Sequence, residues 1–519
     1  MRWKLEKWEF WFLVSVYVFS VAIRLIPKLY TDPYLPAFQG DVWYRMCMAQ
    51  RILDTWSLPE PDIRYISYGY VPMWYPPLSV TGLAVLSKIT QLDIPVVVTR
   101  IIPFLEGLSP VSIYFLARYI YHQKIAVYST IILAGTASFI YWTGIADPQS
   151  FVLLLIPLCI LFLLKYTIEE YHYISLVIMG IILGVAFLFH LSYFVLLLSL
   201  LMVLLYLFSQ GYRSRPFYAF IILVLLSQLV AFWWWFPRNL YWWWIKGLTS
   251  SSGYYTPVEH FLEFGAVPAV LGGLGFVYLG LKRDKYILLL LLWALPLFLE
   301  TQNETILQLV GRIDLTWETL AKPLEGFRFY CFLAQPVSIA GGAFVYYLTK
   351  KINTQVIFSA VLVLLAINLV AYDIGFDLTN TGMTRREYEA AVWYRENTQN
   401  ALIVADYYRA QMIAGVCGGK ALLGGLFPLR NVDYPYIQAP GQVQNDLYVL
   451  YTTDDVRKAV QIINRYGITH IFYSKNLEKT GYFGTSLQDG FGLPVNLEKF
   501  DEFAVVYQDG DILIFEVTY

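Results

Sequence analysis

The sequence predicts a polytopic α-helical membrane protein that carries an extracytoplasmic α/β domain at its C-terminal end. Hydrophobic residues make up 58% of the 519 positions and charged residues 14%, with a mean hydropathy of +0.52. Soluble globular chains carry far more charge, so lipid is the expected solvent. Apolar runs long enough to cross about 30 Å of hydrocarbon recur through residues 1–372. Beyond residue 373 the runs give way to short β-branched and aromatic segments between helix-like ones.

The runs place spans near 8–27, 94–121, 125–143, 149–166, 174–190, 192–208, 217–236, 262–281, 286–300, 323–349 and 354–372. These are about eleven crossings. With Arg2, Lys4 and Lys7 cytoplasmic, the inner connections hold Lys124, Lys165, Arg213, Arg215, Lys282, Arg283, Lys285, Lys350 and Lys351. That distribution obeys the positive-inside rule and predicts a multi-pass protein of the cell membrane. The first apolar run continues as a full span and is read as retained, not as a cleaved leader. Segments 28–93, 144–148, 237–261 and 301–322 then fall on the outer side, together with the domain at 373–519. In that domain Tyr388–Asn397 and Thr453–Tyr466 are helix-like, and Leu402–Ala405, Ile468–Tyr473, Phe503–Tyr507 and Ile512–Val517 are strand-like. A formal charge of −1 gives no reason to expect nucleic acid as a partner. Cys47, Cys159, Cys331 and Cys417 have neither metal spacing nor the pattern of a disulfide framework.

Polar residues gather at the outer interface. Asp41 opens a helix-like stretch to about Trp56, and Asp147 stands in Thr143-Gly144-Ile145-Ala146-Asp147-Pro148-Gln149, where one span ends and the next begins. Either aspartate suits a helix cap. Their common depth also suits a divalent cation on a lipid-linked phosphate, because Mg²⁺ and Mn²⁺ take few carboxylates plus substrate oxygens. Glu259 and His260 precede the eighth span, where solvation is the simple expectation. Arg328 lies inside the start of an apolar span, where a cation needs an anionic partner or must snorkel to the surface. Trp233-Trp234-Trp235 and Trp242-Trp243-Trp244 read as an interfacial aromatic belt. Asn303-Glu304-Thr305 fits a glycosylation acceptor.

Five segments in this order resemble the catalytic subunit of the single-subunit archaeal and bacterial oligosaccharyltransferases, of the GT-C glycosyltransferase superfamily. Asp41-Val42-Trp43-Tyr44-Arg45 is similar to the family's first acidic motif, and Trp74-Tyr75-Pro76-Pro77-Leu78 to the stretch that follows it. Gly144-Ile145-Ala146-Asp147-Pro148-Gln149 resembles the second acidic motif, and Val258-Glu259-His260 the end of the long outer loop. Arg328 with Leu333-Ala334-Gln335-Pro336 resembles the family's arginine and its Leu-Ala-Pro pattern. The resemblance implies a GT-C module of about eleven to thirteen membrane helices. It implies that Asp41 and Asp147, with Gln149 where the family often has a second acid, bind Mn²⁺ or Mg²⁺. It assigns Arg328 to the phosphate of a polyprenyl-linked donor, and Glu259 and His260 to the acceptor side. The acceptor-reading Trp-Trp-Asp is missing: Ala405-Asp406-Tyr407-Tyr408 stands there, with Asp406 and Tyr407 as candidate substitutes.

The expected function is a metal-dependent, inverting transfer of glycan from a polyprenyl (dolichyl) phosphate or diphosphate to a protein or lipid acceptor on the outer face. A metal and an arginine both stabilise a departing phosphate. One alternative moves a single sugar from a polyprenyl monophosphate to a lipid or polymer. Another is an inactive paralogue that binds lipid-linked sugar or scaffolds a glycosylation complex. Transport is disfavoured, because the ionisable residues gather at one surface instead of marking a midplane path.

Overall fold

A computed structural model describes residues 5–36, 40–58, 75–169, 173–245, 264–302, 326–372, 382–398, 401–417, 421–422, 440–480 and 495–517. The expected fold class is borne out. Each of the eleven apolar runs is helical among the described residues, from Lys7–Leu29 to Tyr330–Thr349 and Thr354–Ala371; the second run is interrupted at 107–110 and the third is broken into Gln123–Ala134 and Ala137–Trp142. Six of the helices described are both long and apolar enough to cross a bilayer unaided. The seventh run is longer than expected: its helix continues from Ser214 to Ile245. Large apolar side chains such as Leu229, Val277, Ile367 and Val370 point outward, as lipid-facing positions do.

The chain divides into two compact units. The first comprises Met1–Tyr30, Arg100–Phe236 and Leu248–Leu378. Its densest packing joins the helices Ala266–Leu281, Tyr330–Thr349 and Gln123–Ala134. Small residues bring their backbones together. A Cβ on Gly275 would collide with the carbonyl of Ala340, and one on Gly342 with the backbone of Ser129. In lipid, where apolar burial between helices gains little, such close approach is what holds helices together.

The first helix, Lys7–Leu29, is tied to its neighbours by charge at both ends. Near its start the fully buried Glu9 accepts from Arg118 Nε at 2.9 Å and from the Tyr114 hydroxyl. Near its end Arg24 and Lys28 are buried as well. Of the first tryptophan triplet only Trp233 is exposed; Trp234 is in the core and Trp235 stacks on Phe187 at 4.8 Å. The belt reading therefore holds for one of those three rings, and the side chains of Trp242–Trp244 lie outside the described residues.

The second unit comprises Thr31–Thr99, Pro237–Gly247 and Thr379–Tyr519. It contains a five-stranded sheet in the order β2-β1-β3-β5-β4. The strands are β1 (Ile403–Val404), β2 (Ala421–Leu422), β3 (His470–Ser474), β4 (Ala504–Asp509) and β5 (Ile512–Glu516). β1 pairs in parallel with β2 and β3; β5 runs antiparallel to β3 and β4. All five residues of β3 are buried, as expected of a strand covered on both faces. The β4–β5 hairpin turns at Gly510, whose φ of +58° favours glycine. The helix Gly40–Thr55, from what the sequence reads as an outer loop, packs in this unit against Tyr407–Cys417. The indole of Trp43 rests where a Cβ on Gly415 would lie 3.1 Å away.

Replacing Gly275 with Ala should destabilise the first unit by about 1–3 kcal/mol, the usual cost of overpacking. Gly273 on the same helix has open space around its Cβ position, so Gly273→Ala should leave thermal unfolding in detergent unchanged or slightly improved.

Candidate active site

The Thr143–Gln149 connection is short and must leave one helix and enter another while its polar backbone is buried. Cations from the first helix satisfy that backbone. Arg24 donates through Nε to the Thr143 carbonyl at 2.9 Å, through Nη2 to the Thr143 hydroxyl, and through Nη1 to Ser20 Oγ at 2.6 Å. Lys28 donates to the Gly144 carbonyl, and Arg100 in turn donates to the carbonyl of Lys28. Ala146 then takes φ +58°, a conformation L-residues rarely adopt and one found where a fold fixes a functional loop.

This route delivers Asp147, 2% exposed, to the head of the helix Gln149–Ile168. Its Oδ1 accepts the Gln149 N–H at 2.9 Å, so the capping role anticipated for it is present, with Pro148 as the boundary residue. The same oxygen stands 3.8 Å from His190 Nε2. Gln149 is buried with Asp147, and its amide nitrogen is directed at Cys331 Sγ, 3.9 Å away. Cys331 donates to the Arg328 carbonyl at 3.1 Å. Arg328 sits in the one-turn segment Gly326–Phe329, and its guanidinium lies over the Trp142 ring at 5.4 Å. Asp147, Gln149 and Arg328 are thus linked around one buried thiol. His190, Arg24 and Lys28 are the additions that the sequence reading misses. Ionisable residues in otherwise apolar segments were the available signal.

An apolar cavity of about 500 Å³ opens between the helices Ala266–Leu281, Ile287–Thr301 and Tyr330–Thr349. Phe276, Leu291, Leu295, Phe298 and Tyr330 line it.

The remaining candidates are distributed otherwise. Asp41 lies in the first turn of the helix Gly40–Thr55, in the second unit, but its side chain is outside the described residues. Glu259, His260, Trp74 and the Asn303-Glu304-Thr305 sequon are outside them as well. Among the described residues no group of three or more His, Cys, Asp or Glu side chains is arranged to hold a metal ion.

Asp406 and Tyr407 follow β1 directly, where the chain order turns toward β2 on one side and β3 on the other. Open α/β sheets bind ligands at such a switch point, beyond the carboxyl ends of the strands. Tyr407 is partly exposed and packs edge-on against Tyr408 at 5.0 Å. Asp406 is fully buried and holds Arg409 Nη1 at 3.1 Å, while Arg409 Nε reaches Glu387 at 2.6 Å. Burial lowers the Arg409 pKa, and the two carboxylates more than reverse that, so the net shift is upward. Arg409 therefore binds the helix Tyr407–Cys417 to the helix Arg385–Asn397 through Glu387, and the Asp406 carboxylate holds that guanidinium in place.

Comparison with known proteins gives the fold a context. Residues 75–235 match the family model described as dolichyl-phosphate-mannose-protein mannosyltransferase. No curated protein matches the sequence. The apo oligosaccharyltransferase of Archaeoglobus fulgidus superposes with a TM-score of 0.63 at 13% identity, over 92% of this chain and 71% of that one. The same organism's enzyme in complex with an inhibitory peptide and a dolichol-phosphate gives 0.59 at 14%, over 91% and 70%. ArnT from Cupriavidus metallidurans bound to undecaprenyl phosphate gives 0.58 at 12%, over 98% and 97%.

Arg24→Met should cost about 1–3 kcal/mol, the penalty for leaving the buried Thr143 carbonyl and hydroxyl without a donor, and Arg24→Lys should recover only part of it. Thermal unfolding of the purified variants measures both. At the level these likenesses carry, the chain has the fold of a GT-C membrane glycosyltransferase.

Proposed function

We propose that this protein transfers a glycan from a polyprenyl phosphate or diphosphate carrier to an acceptor on the outer face of the membrane. The observation that carries the reading is the buried Asp147, linked through Gln149 and Cys331 to Arg328, in a unit whose helices also enclose an apolar cavity. An isoprenoid chain needs an apolar surface, and its phosphate needs cations: an arginine, and a metal ion that a carboxylate would hold. In this reading Arg328 binds the phosphate as a planar donor. The polyprenyl phosphates named in two of the similar structures have the same chemistry.

The acceptor nucleophile attacks the anomeric carbon, the bond from that carbon to the phosphate oxygen breaks, and the electron pair leaves with the phosphate. Configuration inverts in a single displacement. Arg328 stabilises the charge that develops on the leaving oxygen. Asp41 and Asp147 would hold Mn²⁺ or Mg²⁺, which would neutralise further phosphate charge. Asp147 suits that role, being a carboxylate fixed by a backbone N–H; Gln149 suits it less, because its amide nitrogen turns toward Cys331. Glu259, His260 and Tyr407 are proposed for the acceptor side, and the absent Trp-Trp-Asp argues against ordinary sequon reading.

A second reading has one observation in its favour. The match to ArnT, whose structure holds undecaprenyl phosphate, spans nearly the whole of both chains, which supports a polyprenyl monophosphate donor and with it the transfer of a single sugar to a lipid or polymer. The test supplies purified protein and Mn²⁺ or Mg²⁺ with radiolabelled polyprenyl-linked glycans and either sequon peptides or lipid acceptors. Asp147→Asn keeps an oxygen for the Gln149 N–H and should fold normally, yet transfer should fall by at least a hundredfold. Full transfer by Asp147→Asn, or none by the parent protein to any acceptor, would sink the proposal.

A further inference from the structure

We infer that the C-terminal domain binds a phosphorylated sugar in a cationic cavity at the carboxyl end of β3, built from residues other than those of the candidate active site. The cavity measures about 510 Å³ and lies wholly within the second unit. Three stretches of chain meet around it: the residues that follow β3, the β4–β5 turn and the start of the helix Arg385–Asn397. The Lys475 N–H donates to the Asp511 carbonyl at 3.2 Å and joins the first two. The third comes close at Gly510, where a Cβ would lie 2.8 Å from Arg386 Nη1. Because β1 and β3 run parallel, the cavity is at the same edge of the sheet as Tyr407. Open α/β sheets bind their ligands at that edge.

The lining includes four cations, Arg385, Arg386, Lys475 and Lys479, and they are not equivalent. Arg385 is already satisfied: it pairs with Asp32 at 3.2 Å and Glu389 at 2.8 Å, and lies over the Tyr34 ring at 4.4 Å. Arg386 has Asp509 at 3.9 Å, but both side chains are exposed, and such a pair is worth little in water. Lys475 and Lys479 are exposed and form no ion pair among the described residues. Glu478, between them in sequence, accepts instead from the Tyr473 hydroxyl at 2.7 Å. The helix start adds little, because its capping box with Glu387 already occupies that end. Arg386, Lys475 and Lys479 thus call for an anion of more than one charge. A phosphate monoester brings about −1.5 to −2 and three acceptor oxygens.

Two further groups point to a sugar on that phosphate. Ser474 is 3% exposed and accepts the Asn476 N–H at 3.3 Å, yet its own hydroxyl donates to nothing among the described residues. Asp511 has neither an ion pair nor a side-chain hydrogen bond among them. A carboxylate in an anion's cavity opposes binding unless the ligand also brings donors, and sugar hydroxyls are such donors. The volume is in the range of small-molecule sites and exceeds what a lone phosphate fills.

The test measures binding of glucose 6-phosphate, glucose and inorganic phosphate to the full chain in phosphatidylcholine nanodiscs by titration calorimetry. Glucose 6-phosphate should bind about fivefold or more tightly than inorganic phosphate, weaken as salt rises, and exceed glucose by a wider margin. Joint replacement Lys475→Gln and Lys479→Gln should weaken it about tenfold or more, with thermal unfolding unchanged. Asp511→Ala should remove the preference over inorganic phosphate. A parent protein that does not bind glucose 6-phosphate, or binds inorganic phosphate as tightly, would overturn the inference, as would undiminished binding by the lysine variant. Binding lost in Arg328→Leu and kept in the lysine variant would place the ligand at the candidate active site, overturning this inference while leaving the donor reading standing. Lysine-dependent binding to phosphatidylglycerol vesicles without binding of glucose 6-phosphate would make the ligand a membrane surface and overturn it too.

Discussion

Two cations buried at the end of the first helix set the geometry on which the candidate site depends. Arg24 and Lys28 are placed where a charge is costly, and the groups that stabilise them are carbonyls and hydroxyls of Ser20, Thr143 and Gly144 together with the charge of the buried Glu106 carboxylate. The benefit is mutual, because those backbone groups would otherwise be orphaned in an apolar surrounding. Between them they fix Thr143–Gly144, force the unusual turn at Ala146 and deliver Asp147 to its helix end.

The second unit solves a similar problem with a closed ionic group. Glu387, Arg409 and Asp406 are all buried, and each carboxylate faces the one guanidinium. Buried ion pairs are weak sources of net stability but strongly penalise the loss of one partner, and so fix one arrangement. Here they fix the helix that follows β1, whose first residue is Tyr407. Tyr407 is left partly exposed at the sheet's switch point, while Asp406 is closed off from solvent.

Much of this was legible in the sequence. The eleven apolar runs became helices because length and hydropathy alone decide a span. The strands from Leu402, Ile468, Phe503 and Ile512 appeared within a few residues of their expected places, since β-branched runs leave few alternatives. Harder to see were Pro440–Thr452 and Tyr407–Cys417, whose mixed composition gives no clear polar face. Asp147 and Arg328 stood out as charges in apolar surroundings, and they are linked through Gln149 and Cys331. Arg24 carries the same signal, but its role stays hidden because its partner Thr143 lies 119 positions away and only folding pairs them. His190 was hidden for the same reason: a lone histidine between two apolar helices has no meaning until Asp147 is set opposite it.

The central claim is that the cluster around Asp147 is the phosphate end of a lipid-carrier site. A cryo-EM structure of the full chain with undecaprenyl phosphate tests it most directly. The account predicts the phosphate beside Asp147 and Arg328, with the isoprenoid chain along Phe276, Leu291 and Leu295. A phosphate bound elsewhere, with that cavity filled by ordinary membrane lipid, would contradict it.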